Sequence, residues 1–257
     1  MMPSWRWAGA CSIGTSHLKS NLECQDRASC MQIVIAEREY LSIVVSDGAG
    51  SAERAAQGAS IVCAGFQRLA VTHLRNGKSL DDIDEETVAG WLDEIRERIS
   101  VQSKKAGLRP RDYAATLVAA IVGPNSAVIA HVGDGAAVLR NQATGEWTVP
   151  SWPFHGEYAS TTRFVVDDPQ PVISLVLAEG KFDRAAVFSD GMERLVLDHR
   201  ERSAPAGFFN RLTGPVANCA SPGRDRKLSK HLKSYLDSEK VCEATDDDKS
   251  LVLGARA

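Results

Sequence analysis

A chain of 257 residues can bury a sizeable core in one or two domains, and its 44% hydrophobic and 25% charged content is that of an ordinary globular protein. A net charge of −3 gives no broad pull toward nucleic acid or an anionic membrane, and no apolar run approaches the roughly 20 residues that span a bilayer. Six cysteines without a C-x-x-C pair, and an N-terminus (MMPSWRWAGACSIG) without the apolar core of a signal peptide, lead us to expect a reduced cytoplasmic protein with neither a nucleic-acid nor a membrane partner.

Trp5 to Ala10 reads as an edge strand, and Gly14-Thr15-Ser16-His17 opens a polar loop that reaches Cys24-Gln25-Asp26. Met31 to Ala36 and Leu41 to Ser46 are strands whose short connection favours an antiparallel hairpin. Ser51 to Asn76 reads as a helix stopped near Gly77. Ser79 to Lys105 is a second helical region, with Val88, Trp91, Leu92, Ile95 and Ile99 at helical spacing and Gly107 and Pro110 beyond its end. Tyr113 to Val122, Ala127 to Val132, Ala136 to Arg140 and Trp147 to Val149 follow as an antiparallel meander. Residues 150–163 read as irregular, Val172 to Leu177 and Ala185 to Phe188 as strands, and Gly191 to Leu197 as a short helix. Residues 203–223, rich in Pro, Gly, Ala and Asn, read as a mobile flap. Asp225 to Glu239 is an amphipathic helix, and Leu251 to Leu253 is the closing strand. Hairpin-rich strands with long helices inserted as a pair predict an α+β sandwich, whereas a parallel doubly wound sheet would need strand and helix to alternate. No composition break divides the chain, so residues 1–257 are expected to form one domain.

Three strands end in the same way: Leu41 to Val45 before Ser46-Asp47-Gly48, Ala127 to Val132 before Gly133-Asp134-Gly135, and Ala185 to Phe188 before Ser189-Asp190-Gly191. A fourth acidic cluster, Asp246-Asp247-Asp248, precedes the last strand. Taken singly, each Asp-Gly reads as a turn. Taken together, buried strand ends that converge would crowd like charges, and a divalent cation would let them share one site. All-oxygen donors point to Mg²⁺ or Mn²⁺ instead of zinc. Other chemistries lack their motifs. Gly77-Lys78-Ser79 ends a helix where a P-loop would open one, no G-x-S-x-G elbow occurs, and no Cys has an Arg six positions on.

The motifs Cys24-Gln25-Asp26, Val45-Ser46-Asp47-Gly48, Ala115-Thr116, Val132-Gly133-Asp134, Ser189-Asp190-Gly191 and Asp247-Asp248-Lys249-Ser250 are, in that order, similar to those of the metal-dependent PP2C (PPM) protein serine/threonine phosphatases, especially their compact bacterial branch. The resemblance runs from about Gly14 to Gly254. It implies a four-layer sandwich of two antiparallel β-sheets with helices on both outer faces. It also implies two Mn²⁺ or Mg²⁺ ions, Asp47 bridging both, the Gly48 carbonyl serving one, and Asp190 and Asp247 serving the other. Asp26 would hold water beside the ions, Asp134 would sit at the rim where a weaker third ion binds, and Thr116 would be structural. The catalytic set implied is Asp26, Asp47, Asp190 and Asp247, acting on phosphoserine and phosphothreonine in proteins opposite a cognate kinase. Two positions depart from the family pattern: Ala49 stands where animal members have a His, and Asn21 where many have a phosphate-holding Arg. His17 and Lys19 lie nearby as substitutes for the phosphate contact, although a loop His bonded to backbone is an equal reading. Asp246 and Asp248 are expected to be solvent-exposed or to cap a turn. The competing functional reading is a catalytically silent regulatory module of the same fold that binds a phosphoprotein or kinase.

Overall fold

The computed structural model describes residues 4–153 and 162–256. In chain order they form β1 (Trp5–Ser12), α1 (Thr15–Lys19), β2 (Arg27–Ile35), β3 (Arg38–Ser46), α2 (Ala55–Arg75), α3 (Glu85–Ala106), β4 (Leu117–Val122), β5 (Ser126–Val132), β6 (Ala136–Asn141) and β7 (Trp147–Thr148). They continue with β8 (Ser174–Glu179), β9 (Phe182–Phe188), α4 (Asp190–Val196), α5 (Ala206–Ala217), β10 (Gly223–Arg224), α6 (Arg226–Leu236), α7 (Glu239–Ala244) and β11 (Lys249–Arg256). Part of the irregular region expected at 150–163 lies outside the described residues.

The strands build one sheet in the order β10-β1-β11-β9-β6-β7 and a second in the order β2-β3-β4-β5-β8. Every pairing is antiparallel except the two-residue contact of β1 with β10. Strand β3 shows why the sheets stack. Its side chains alternate between two apolar environments, so it has no wet face and reads as an unbroken apolar run. Leu41, Ile43 and Val45 meet Val118, Ala120, Leu139, Val187 and Val252 between the sheets, while Tyr40 and Val44 face helices α2 and α3. The one polar residue inside the run, Ser42, donates from Oγ to Gln67 Oε1 of α2 at 2.6 Å, so its burial leaves no unmet donor. On the other outer face, Ala136, Val138, Ala186 and Phe188 pack beneath α4, α5 and α6. The result is the expected α+β sandwich with helices on both outer faces.

Helix boundaries differ from the expected ones where capping decides them. Helix α3 starts at Glu85, six residues after Ser79, because the Asp84 carboxylate accepts from Thr87 N at 2.8 Å as its N-cap; Ser79 and Asp82 close the preceding turn instead. Gly107, at φ 70°, ends the helix as expected. Helix α2 starts at Ala55, since the residues after Asp47 form a loop of tight turns held by Ala49 N to Ala114 O and Arg54 N to Asp112 O. The segment from Gly14 is the short helix α1 and not an open loop. The flap expected at 203–223 is corrected: it contains α5, whose Phe209 is fully buried between Trp147 and Phe188, ring centroids 5.1 and 6.2 Å away. Composition suggested mobility, but one aromatic anchor, with Thr213 and Val216 also buried, docks the helix on the sheet.

Candidate active site

The three strand–Asp–Gly units converge. Carboxylate oxygens of Asp47, Asp134 and Asp190 all lie within 4.8 Å of one another. Each is delivered by the end of a strand from the middle of a sheet: β3, β5 and β9. The backbone around Asp47 is clamped from both sides. Asp47 N donates to Thr116 Oγ1 at 3.0 Å, Thr116 N donates to the Asp47 carbonyl at 2.8 Å, and Ser46 Oγ donates to the Thr116 carbonyl at 2.6 Å. Thr116, immediately before the first residue of β4, therefore holds the Asp47 backbone in place. Asp134 lies with the other two, and Thr162 Oγ1 donates to its Oδ2 at 2.6 Å. Upstream in β5, His131 is buried with Nδ1 2.9 Å from Ser151 Oγ, and burial lowers its pKa to about 4.

Asp26 is the fourth member. It is 1% exposed, and its Oδ2 accepts from Ser189 Oγ at 2.6 Å; Ser189 Oγ in turn accepts from Ser250 N at 2.9 Å. That serine relay ties the Asp26 loop to β9 and β11. Asp26 also adjoins Asp47 closely enough for each carboxyl to influence the ionisation of the other. Burial pushes the Asp26 pKa up to about 6. Burial, then the charges of Asp26 and Asp190, holds the Asp47 carboxyl well above the usual range. Burial, then the charges of Asp134, Asp247 and Asp26, pushes Asp190 up to about 8. Asp26 Oδ1 and Asp190 Oδ1 are buried with no hydrogen-bond donor among the described residues. Orphaned carboxylate oxygens crowded by like charge fit a hard cation with all-oxygen donors.

The triplet before β11 splits three ways. Asp246 and Asp247 are exposed, with Asp247 close enough to Asp190 to raise its pKa. Asp248, expected to be solvent-exposed or turn-capping, is corrected: it is 1% exposed and fully engaged. Its Oδ1 accepts from Gly14 N at 2.6 Å, and its Oδ2 accepts from Gln25 N at 2.5 Å and lies 3.0 Å from His17 Nδ1. His17 is thus held by a buried carboxylate, and its bond is not to backbone. The triplet's backbone is pinned too, since a Cβ on Gly14 or Gly191 would run into the backbone of Asp246–Asp247 or Asp248 respectively. Asn21 sits at φ 54°, a left-handed position that Asn tolerates better than most residues. Sequence reasoning missed the parts played by Ser46, Ser189, Ser250 and Asp248. The serines directly before Asp47 and Asp190 were the available signal.

The protein phosphatase 2C family model matches residues 13–237. Serine/threonine-protein phosphatase 3 of Escherichia coli (strain K12) is 32% identical over 254 residues, covering 97% of this chain and 98% of that protein. Among solved structures, serine/threonine phosphatase Stp1 from Staphylococcus aureus has a TM-score of 0.61 at 14% identity, over 99% of this chain and 95% of that one. The catalytic domain of serine threonine protein phosphatase PstP, in complex with two manganese ions, has a TM-score of 0.57 at 15% identity, over 99% of each chain. The solved structures share the fold, and the match that runs from residue 13 to 237 takes in all four converging acids as well as His17. The chain belongs to the protein phosphatase 2C family.

Proposed function

We propose that this protein is a metal-dependent phosphatase that hydrolyses phosphoserine and phosphothreonine in proteins, using two Mn²⁺ or Mg²⁺ ions held by Asp47, the Gly48 carbonyl, Asp134, Asp190 and Asp247. The observation that carries the reading is the convergence of Asp47, Asp134 and Asp190 within 4.8 Å, beside carboxylate oxygens that have no donor. Bound divalent cations supply Lewis acidity toward water and offset charge on the phosphoryl oxygens. The chain's own residues supply placement. Thr116 fixes Asp47, the Ser250–Ser189 relay fixes Asp26, and Asp26 orients water against the acidic cluster. His17, steadied by Asp248, and Lys19 grip the substrate phosphate in place of the cation missing at Asn21. Ser189 Oγ, the hydroxyl that donates to Asp26, is 1% exposed and committed to the relay, so this reading invokes no covalent phosphoenzyme.

The silent regulatory module is the second reading, and the intact acidic set weighs against it. Buried carboxylates at this density are costly to keep for a surface that merely binds. The six cysteines are unpaired thiols, which supports a cytoplasmic setting in which a serine/threonine kinase provides the substrates. Among the described residues no helix is long and apolar enough to cross a membrane. Turnover of an aryl phosphate and a phosphothreonine peptide in Mn²⁺, lost in chelator, is the expected result. Calorimetric Mn²⁺ binding without turnover of either substrate would favour the silent module.

A further inference from the structure

The basic residues around the start of α6 do more than solvate a helix face. Arg224, Arg226, Lys230 and Lys233 line one wall of an open groove of about 460 Å³ whose other wall is β1 at Gly9, Ala10 and Cys11. Lys233 is paired with Asp237 at 2.7 Å. Arg224, Arg226 and Lys230 are exposed, and none of them has a carboxylate within salt-bridge distance among the described residues. The groove therefore presents uncompensated positive charge on a protein whose net charge is −3.

Its floor is also unusual. Beyond the two-residue contact of Arg6 and Trp7 with β10, the outer edge of β1 pairs with no other strand among the described residues. Gly9 N–H turns to Ser229 Oγ of α6 at 3.3 Å instead. An unpaired strand edge accepts an extended chain, and side chains at its rim choose which chain.

The groove points toward the acidic cluster. Cys11, at its upper end, lies opposite Ser250 of β11, whose N–H feeds Ser189 and through it Asp26. From Gly9 to the Ser12 end of β1, where Asp237 takes Ser12 Oγ and Lys233, is on the order of 10 Å at strand spacing, so a segment in the groove lies at least three or four extended residues from the acidic cluster.

We infer that this groove seats an extended acidic segment of the phosphoprotein substrate, about three to five residues from the phosphorylated Ser or Thr. The inference rests on the phosphatase reading and adds a substrate preference to it: acidic flanking sequence. Carboxylates of the segment would pair with Arg226, Lys230 and Arg224 while its backbone lies along β1.

The test uses the full-length protein and the double variant Arg226→Glu, Lys230→Glu. Phosphothreonine peptides with acidic residues three to five positions N-terminal or C-terminal to the phosphate are compared with a neutral-flanked peptide and an aryl phosphate. The wild type is expected to favour one acidic peptide by about tenfold in kcat/KM, with the advantage lost in the double variant and at high salt while the neutral peptide and aryl phosphate are unaffected. Equal losses on all substrates, or no acidic preference in the wild type, would overturn the inference. Anisotropy of the unphosphorylated, labelled acidic peptide provides a readout independent of turnover. Binding that weakens about tenfold in the double variant supports the groove even if the wild type proves inactive, an outcome that would sink the phosphatase reading alone. Tighter binding of single-stranded RNA or phosphatidylserine vesicles than of the peptide, abolished by the same substitutions, would assign the groove to a different occupant and overturn the proposal.

Discussion

Two aspartates near one end of the sandwich, one buried and one half-buried, have opposite fates. Asp248 is 1% exposed and makes three contacts, two of them with backbone N–H groups. Asp190, which also adjoins a strand end, has a buried oxygen with no donor among the described residues and is surrounded by Asp134, Asp247 and Asp26. The first is a carboxylate whose charge the fold itself satisfies, and it holds the Gly14, His17 and Gln25 segments against β11. The second is a carboxylate whose charge the fold leaves unsatisfied. Sequence motif does not make this distinction, since Asp247, exposed, and Asp248, buried and fully engaged, are neighbours in one acidic run.

The largest effect should come from removing an unsatisfied acid. Asp190→Asn or Asp47→Asn is expected to lower metal-dependent kcat about a thousandfold, on the order of 4 kcal/mol of transition-state stabilisation, while the folded protein without metal becomes no less stable. Near-normal turnover would break the ligand assignment. Loss of folding would show that the acid was satisfied after all. The converse substitution, Asp248→Ala, strands the Gly14 and Gln25 amides, at about 1–3 kcal/mol each. It should lower stability to the same extent with and without Mn²⁺, measured by denaturant unfolding. A loss that appears only in the presence of Mn²⁺ would move Asp248 into the metal-binding group.

The contrast also predicts a pH dependence. Asp26 and Asp190 have pKa values raised to about 6 and about 8 by burial and like charge, and Asp47 is raised as well. In each case the folded state holds its proton to higher pH than the unfolded chain, where carboxylates titrate near 4. The stabilising contribution of the protonated acids is complete below about pH 4 and is lost as pH rises through about 6 and then about 8. In chelator, Tm should therefore fall between pH 5 and 8 by several degrees more than it does in saturating Mn²⁺, which makes the ionised form the favoured one. Asp190→Asn should flatten the chelator curve. A Tm that rises over this range in chelator would contradict the assignment.

The parts of this design that are legible in the sequence are those with a period or a dipeptide. Continuous apolar runs ending in Asp-Gly marked β3 and β9, and Asp47, Asp134 and Asp190 meet in space. What could not be read is what depends on partners far along the chain. Nothing local says that, of Asp246, Asp247 and Asp248, the third is the one that turns inward; that is decided by Gly14 and Gln25, more than 220 residues away. The alternation of a strand does not help, because the triplet lies in the turn before β11. The same limit explains α5, whose Pro- and Gly-rich composition hid the single Phe209 anchor against Trp147 and Phe188. The loop between Asp47 and α2 is likewise held by Asp112 and Ala114, so the helix begins at Ala55 and not at Ser51.

The smallest expected effect tests whether Asp248 serves catalysis through His17. The imidazole is mostly buried, with Nδ1 on Asp248 Oδ2, so its Nε2 is the nitrogen left to meet a ligand. His17→Ala should raise KM for a phosphothreonine peptide about three- to tenfold with little change in kcat, since a grip on the ground-state phosphate is uniform binding. Lys19→Ala, on the exposed end of α1, should do the same more weakly and should be masked by salt. Asp248→Asn is the sharper probe. It keeps an oxygen for the Gln25 or Gly14 amide but removes the charge that steadies His17. A KM matching that of His17→Ala, with a stability loss of about one stranded amide (about 1–3 kcal/mol) and so smaller than that of Asp248→Ala, would establish that the satisfied acid also positions the phosphate contact. A KM unchanged in all three variants would return His17 to a purely structural role and leave Asp47, Asp134 and Asp190 as the sole functional half of the comparison.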